Sequence, residues 1–148
     1  MQIVKGTPSH AKEMYEIEKE SFSTAWSEIS IEYEISQEFT ICLLAIENEK
    51  ILGHVYMRRI FDEGEIINIA VRKSHRNQGI GTFLMQGLLD TATAHNISKI
   101  TLEVRINNTA AISLYKKFGF VAQGLRKDYY SQPVEDGVIM VRTISCDR

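Results

Sequence analysis

The segment from Glu65 to Arg105 constrains the fold more than any other stretch of this chain. Glu65 to Val71 is an apolar, β-prone run, and Ile80 to Ala94 carries Ile80, Phe83, Leu84, Leu88 and Ala92 at helical spacing. Asn96 is placed to end that helix in the left-handed conformation, and Lys99 to Arg105 reads as a second strand. A strand, a helix and a strand in that order imply two parallel neighbours joined by a crossover. Between the first strand and the helix lies Arg76-Asn77-Gln78-Gly79-Ile80-Gly81-Thr82. N–H groups at a helix start have no partner within the helix, and the helix dipole adds positive potential there. Gly79 and Gly81 lack a Cβ and admit a ligand close to the backbone, while Arg72, Lys73, His75 and Arg76 add positive charge. The turn reads as an anion cradle, suited to a phosphate.

The flanking chain supplies antiparallel partners. Gln2 to Lys5 is a short strand, and Thr7-Pro8 opens a helix with a cap and a proline at its first position. Its apolar stripe is Ala11, Met14, Tyr15 and Phe22, with Glu13, Glu16, Lys19 and Glu20 mainly outside it. From Trp26 to Ile35 the isoleucines alternate as in a strand, yet Ser27 is placed to cap, and the stretch is read as helix. Phe39 to Ile46 and Ile51 to Ile60 face each other across the turn Glu47 to Lys50, with Gly53 marking a bulge or a close approach. Asp62-Glu63-Gly64 is the expected turn into Glu65 to Arg72. After Arg105, a short helix from Thr109 to Phe118 packs through Ala111, Leu114, Tyr115 and Phe118 and stops at Gly119. Phe120 to Lys127 and Val138 to Ile144 are the last strands, around a polar loop with Pro133 and Asp136-Gly137. The expectation is one domain over residues 1–148, a mixed α/β sheet.

Charge and composition remove several classes of function. With 17 basic against 19 acidic residues the formal charge is −2, which argues against a general nucleic-acid binder. Cys42 and Cys146 fit no metal or redox spacing, and Cys42 reads as a small core residue. No signal-peptide core precedes the first strand, and no apolar run approaches the roughly 20 residues needed to span a bilayer. A soluble cytoplasmic protein, without metal and without membrane contact, is the default.

Three phosphate motifs compete for the cradle. A Walker A loop needs a lysine after its second glycine, and none stands there. A dinucleotide fingerprint needs a third glycine where Leu84 stands. What remains is R-x-x-G-x-G between a strand and a long helix, and it resembles the acyl-CoA loop of the GNAT N-acetyltransferases. Asn68-Ile69-Ala70-Val71 is similar to that family's fourth strand, whose backbone pairs with the pantetheine arm. Leu102-Glu103-Val104-Arg105, Asn108, Ala111, Leu114-Tyr115 and Gly119-Phe120 follow its L-E-V-R-x-x-N-x-x-A-x-x-L-Y-x-x-x-G-F pattern. The likeness is strongest to the RimI type, which acetylates the N-terminal alanine of a small-subunit ribosomal protein. Arg126-Lys127-Asp128-Tyr129-Tyr130 resembles R-R-N-Y-Y with two departures, and Phe22 and Trp26-Ser27 resemble F-x-x-P-W-S with Ala25 in place of proline. The departures fall on the acceptor side and leave the cofactor side intact.

The resemblance covers nearly the whole chain. It implies a mostly antiparallel sheet with one parallel β-helix-β pair and helices on both faces. It also implies acetyl-CoA bound by Arg76 to Thr82, Ile69 to Val71 and Asn108, with direct transfer to an amine. At pH 7 roughly a tenth of α-amines are neutral, against fewer than about one lysine in a thousand, so an N-terminus asks for only a modest base. Glu103 is the candidate base, acting directly or through a water; as a plain strand carboxylate it would instead pair with Arg105. Tyr115 is the candidate acid for the departing thiolate, or else a core tyrosine. Asn108 is placed to cap the helix it begins, to bind pantetheine, or both. A backbone N–H near Ile69 to Val71 would polarise the carbonyl. Phe22, Trp26, Tyr129 and Tyr130 are candidates to line a groove for a peptide N-terminus. The acidic residues between Glu13 and Glu38 would attract a basic ribosomal substrate, or simply form a solvated face. The alternatives are a GNAT acting on lysine or a small amine, and an idle acyl-CoA-binding or interaction module. No oligomeric state is implied.

Overall fold

The computed structural model describes residues 1–144; Cys146 lies outside them. In chain order the elements are β1 (Gln2–Lys5), α1 (Ala11–Ser21), α2 (Glu28–Ile35), β2 (Thr40–Glu47), β3 (Lys50–Ile60), β4 (Glu63–Val71), α3 (Ile80–Ala94), β5 (Lys99–Arg105), α4 (Thr109–Lys117), β6 (Val121–Tyr130) and β7 (Glu135–Thr143). They build one seven-stranded sheet in the order β1-β2-β3-β4-β5-β7-β6. Among the described strands only β4 and β5, the pair bridged by α3, are parallel. Among the described residues no helix is long and apolar enough to cross a membrane.

Period-2 alternation explains why the central strands look apolar throughout. On β2, Cys42 and Leu44 pack with Met14, Ile17 and Ile31 of α1 and α2, whereas Leu43 and Ala45 pack with Leu84, Met85 and Leu88 of α3. Helices cover both faces, so both side-chain sets are buried. The β2–β3 turn places Asn48 and Glu49 at φ 52° and 64°, the two left-handed residues of a tight hairpin. Gly53 proves to be both features anticipated for it. The register slips between Ala45 and Ile46, and a Cβ on Gly53 would stand 2.9 Å from the Ala70 carbonyl and 3.1 Å from Leu84 Cδ1.

Residues 28–35 are helical, because the Ser27 hydroxyl accepts the Ser30 N–H at 3.1 Å and Ile31 and Ile35 reach the core from one helix face, while Ile29 faces solvent. Two turns fall elsewhere than expected. Ile60 already pairs with Glu63, so the β3–β4 turn is Phe61-Asp62 rather than residues 62–64. Asp136-Gly137 lies inside β7, paired with β5 and β6, and not in the loop.

The β4–β5 pairing is brief. Glu63, Gly64 and Glu65 pair with Lys99, Ile100 and Thr101, and from there the strands diverge. The register against β3 also shifts, with Asn68 opposite Tyr56 and Ile66 opposite Met57, which leaves Ile67 as an extra, bulged residue. A cleft therefore opens between the upper halves of β4 and β5, at the N-terminus of α3.

Candidate active site

Residues 76–82 sit at the head of this cleft. Asn77 and Gly79 both take positive φ, 63° and 81°, and Gly79 is the N-cap of α3. The first helical bond runs from the Phe83 N–H to the Gly79 carbonyl at 3.0 Å. The N–H groups of Ile80, Gly81 and Thr82 thus have no partner among the described residues, and they converge at the positive end of a 15-residue helix. A Cβ on Gly79 would meet nothing within 4 Å, so the space before these donors is open. Gly81 serves packing instead, because its Cβ would lie 3.3 Å from Leu114 of α4.

The basic side chains are more committed than the sequence suggested. Arg76 donates to the Val71 carbonyl at 3.3 Å, the Glu20 carbonyl at 3.1 Å and Ser21 Oγ at 3.0 Å. Arg72 donates to Glu13 at 2.8 Å and to the Ile51 carbonyl at 2.9 Å. Both arginines therefore strap the loop to α1 and β3. They add positive potential but point their donors at protein, and the backbone N–H groups of 80–82 are the donors left open at the helix start.

Below the cradle, β4 presents free backbone to the cleft. The Arg72 N–H donates to the Leu52 carbonyl at 2.7 Å. This sets the antiparallel alternation: Ala70 directs its N–H and C=O to β3, whereas Ile69 and Val71 direct theirs to the opening. Across the cleft, Ile100, Leu102 and Val104 of β5 point into the α3–α4 core, so Glu103 points to the opposite face. Tyr115 of α4 is in that α3–α4 core, 5.9 Å from the Phe120 ring. Its hydroxyl makes no side-chain hydrogen bond among the described residues, and the residue is 6% exposed. Burial raises its pKa well above the usual phenol range, and Tyr130 adds to this. Glu103 and Tyr115 therefore approach the cleft from opposite faces of the sheet. Asn108 accepts the Ala111 N–H at 3.2 Å as the N-cap of α4, which leaves its amide nitrogen available.

Glu103 is not paired with Arg105. Its Oε1 lies 3.2 Å from Arg126 Nε on β6, and its buried Oε2 has no partner among the described residues. Tyr129 also lies near it, and interaction with the Glu103 carboxylate, then burial, raises the Tyr129 pKa. Arg105 instead pairs with Glu135 at 3.2 Å and donates to Ser23, the Ser131 carbonyl and the Pro133 carbonyl. It thereby clamps the α1–α2 loop to the β6–β7 loop. Tyr129 and Tyr130 are consecutive, yet their rings pack edge to face at 5.0 Å. A register shift after Arg126, with Asp128 at φ 52°, allows it. Gly137 makes the room, because a Cβ there would come within 3.2 Å of both rings. Burial pushes the Tyr130 hydroxyl up to about 12, with Glu103 contributing next. Phe22 and Trp26 are half-buried at the edge of the α1–α2 core, Trp26 edge-on to Tyr56 at 6.1 Å. Phe22 and Trp26 thus flank the α1–α2 loop, and Tyr129 and Tyr130 end the strand that leads into the β6–β7 loop, the two loops that Arg105 ties together.

The sequence reading does not place Arg126 or Arg105 in the site, nor does it single out the buried Glu18. A signal exists for Glu18, since it follows Met14 by four residues on the apolar stripe of α1.

Known proteins share this fold. Residues 11–120 match the acetyltransferase (GNAT) family. The [ribosomal protein bS18]-alanine N-acetyltransferase of Escherichia coli K12 is 32% identical over 133 residues, 88% of this chain and 89% of that one. A Bacillus subtilis protein bearing the same name provisionally is 34% identical over 133 residues, 89% and 88% of the two chains. The crystal structure of the E. coli ribosomal-protein-S18-alanine N-acetyltransferase superposes with a TM-score of 0.93 at 29% identity, over 99% of this chain and 96% of that one.

Proposed function

Since the chain belongs to the GNAT family of acetyltransferases, we propose that this acetyl-CoA-dependent enzyme acetylates a protein N-terminus, and that its acceptor is the N-terminal alanine of ribosomal protein bS18. The observation that carries the reading is the cleft between β4 and β5, which joins an open backbone cradle to a carboxylate oxygen without a partner among the described residues.

The residues present fit acetyl-CoA. The N–H groups of Ile80, Gly81 and Thr82 hold the pyrophosphate, Asn77, Gln78 and Gly79 shape the approach, and Arg76 keeps the loop against α1. The cleft-facing backbone of Ile69 and Val71, across Ala70, pairs with the pantetheine arm, and the Asn108 amide donates to it. Acetyl-CoA supplies an activated thioester. One N–H of β4 stabilises the negative charge that develops on its carbonyl oxygen. Glu103 takes the proton of the acceptor amine through its free oxygen, directly or through a water. Tyr115 keeps a proton available for the sulfur. Its raised pKa does not disqualify it, because a thiolate in the same buried place is raised by the same desolvation. Phe22, Trp26, Tyr129 and Tyr130 enclose the first acceptor residues. The whole of residues 1–148 acts as one catalytic domain, in the cytoplasm where ribosomal proteins are made.

An acetylation assay tests this. Peptides of the bS18 N-terminus, the same peptides with a blocked α-amine and one internal lysine, and a polyamine are each offered with acetyl-CoA. Turnover of the free N-terminal peptide at least ten times that of the others is expected. Preference for lysine or polyamine would overturn the acceptor assignment.

A further inference from the structure

A second group of titratable side chains is buried away from the cleft and has no part in the chemistry above. Glu18 of α1 and His54 and Tyr56 of β3 are each 0% exposed, and they meet Asn68 of β4. Glu18 Oε2 receives His54 Nε2 and the Tyr56 hydroxyl, each at 2.9 Å. Asn68 Nδ2 donates to Glu18 Oε1 and to the Tyr56 hydroxyl, each at 3.0 Å. His54 Nδ1 has no partner among the described residues.

Stability does not account for this arrangement. Burying a carboxylate costs several kcal/mol, which its donors at best offset, and an apolar side chain of similar volume commonly does as well. Met14 and Ile17, the neighbours of Glu18 on α1, fill the same core without polar atoms. What the carboxylate does hold is a particular piece of backbone. Asn68 follows the bulged Ile67 and precedes Ile69, the first residue whose N–H faces the cleft. The bulge turns the Ile67 and Asn68 side chains to the same face. A bulged strand has two registers one residue apart, and the wrong one would turn the cleft-facing N–H groups toward β3. Glu18 from α1 and Tyr56 from β3 grip the Asn68 amide at that point, and Trp26 of the acceptor loop rests on the same Tyr56.

We propose that Glu18 is a positioning residue, which acts through Asn68 and Tyr56 to lock the β4 bulge in register and so aims the Ile69 N–H at the reacting carbonyl. The inference rests on the acetyl-transfer reading. Wild-type protein that acetylates no amine would defeat that reading; wild-type turnover with indifferent variants would defeat this one alone.

The test is a carboxylate–amide exchange in the full chain. Glu18→Gln leaves two amides face to face, and Asn68→Asp leaves two carboxylates. The double variant restores one of each: the amide now on α1 donates to the carboxylate now on β4, and the Tyr56 hydroxyl rotates to serve that carboxylate. Each single variant is expected to lower kcat by about 10–10²-fold, the scale of a misplacement near 1 Å. The Michaelis constant for acetyl-CoA should rise by less than kcat falls, because the pyrophosphate cradle is untouched and only the Ile69 end of the pantetheine contact moves. The double variant should recover to within about threefold of wild type. Tyr56→Phe, which keeps the ring against Trp26, should reproduce the kcat loss and covers the case in which a single variant does not fold. Unchanged kcat in Tyr56→Phe and in either folded single variant overturns the proposal. So does a folded double variant no better than the singles, since a generic core defect would not be rescued by exchange.

Discussion

Replacing Glu103 by glutamine separates chemistry from structure at the residue on which the proposed function most depends. The ion pair with Arg126 is a weak anchor. Glu103 is 22% exposed and Arg126 53%, and exposed pairs are worth about 0–1 kcal/mol. Glutamine keeps the shape and can still offer its oxygen to Arg126, so the melting temperature should move by no more than about 2–4 °C. Turnover should behave differently. Removing a general base costs about 10²–10⁴-fold. Part of that loss depends on pH: about a tenth of the α-amine is neutral at pH 7 and nearly all at pH 9, so the shortfall should shrink by about tenfold over that range and no further. The assay is initial-rate acetylation of the N-terminal peptide at saturating acetyl-CoA from pH 6 to about 9.5, beside a thermal melt. Turnover equal to wild type at every pH would refute the reasoning, and Glu103 would then be only the strand carboxylate that holds Arg126.

Three further outcomes are expected. Tyr115→Phe should slow transfer by about 10²-fold or more while acetyl-CoA affinity by calorimetry stays similar; a loss confined to affinity would make the hydroxyl a binding group. Gly79→Trp should abolish acetyl-CoA binding yet leave the fold intact, because its Cβ points into open space and a single left-handed non-glycine residue costs only about 1–2 kcal/mol. Retained binding would remove the cradle from its role. Glu34 is held by Arg58 and by Thr40, whose hydroxyl donates at 2.7 Å. Burial pushes its pKa up, but the Arg58 and Thr40 hydrogen bonds outweigh burial and leave it below the ordinary 4.5. A depressed carboxylate contributes stability that is present above its unfolded value and lost as pH falls through the folded one. Glu34→Gln should thus cost about 1–3 kcal/mol at pH 7 in urea unfolding, with the gap to wild type closing below roughly pH 4.5. A gap independent of pH would disprove that account.

The legible parts of this fold are those with strong local punctuation. The helix Ile80–Ala94 and the strand Lys99–Arg105 have the bounds read from sequence, because Gly79 opens the helix and Asn96, at φ 58°, closes it. The β2–β3 turn and the stop at Gly119, at φ 87°, are legible for the same reason. Asp136-Gly137 misleads, since the usual turn dipeptide stands here in a paired strand, where its missing side chain leaves room for two tyrosines. The bulge at Ile67 carries no signature of its own. It shows only in the register between two strands.

The crossover, the glycine turn within it, and the presence of Glu103 and Tyr115 on the elements that follow can all be read from the amino-acid order alone. Each rests on spacing within one segment, where helical and strand periods bind neighbour to neighbour. What those residues face is settled by packing between distant segments. Arg76 turns its guanidinium to α1, 55 and 56 residues away in the chain. Because β7 lies between β5 and β6, Glu103 meets Arg126 across an intervening strand instead of Arg105 beside it. The early divergence of β4 from β5 frees the backbone between them. Strand order and register set all three, and these are chosen by the packing of whole faces, which no local period encodes.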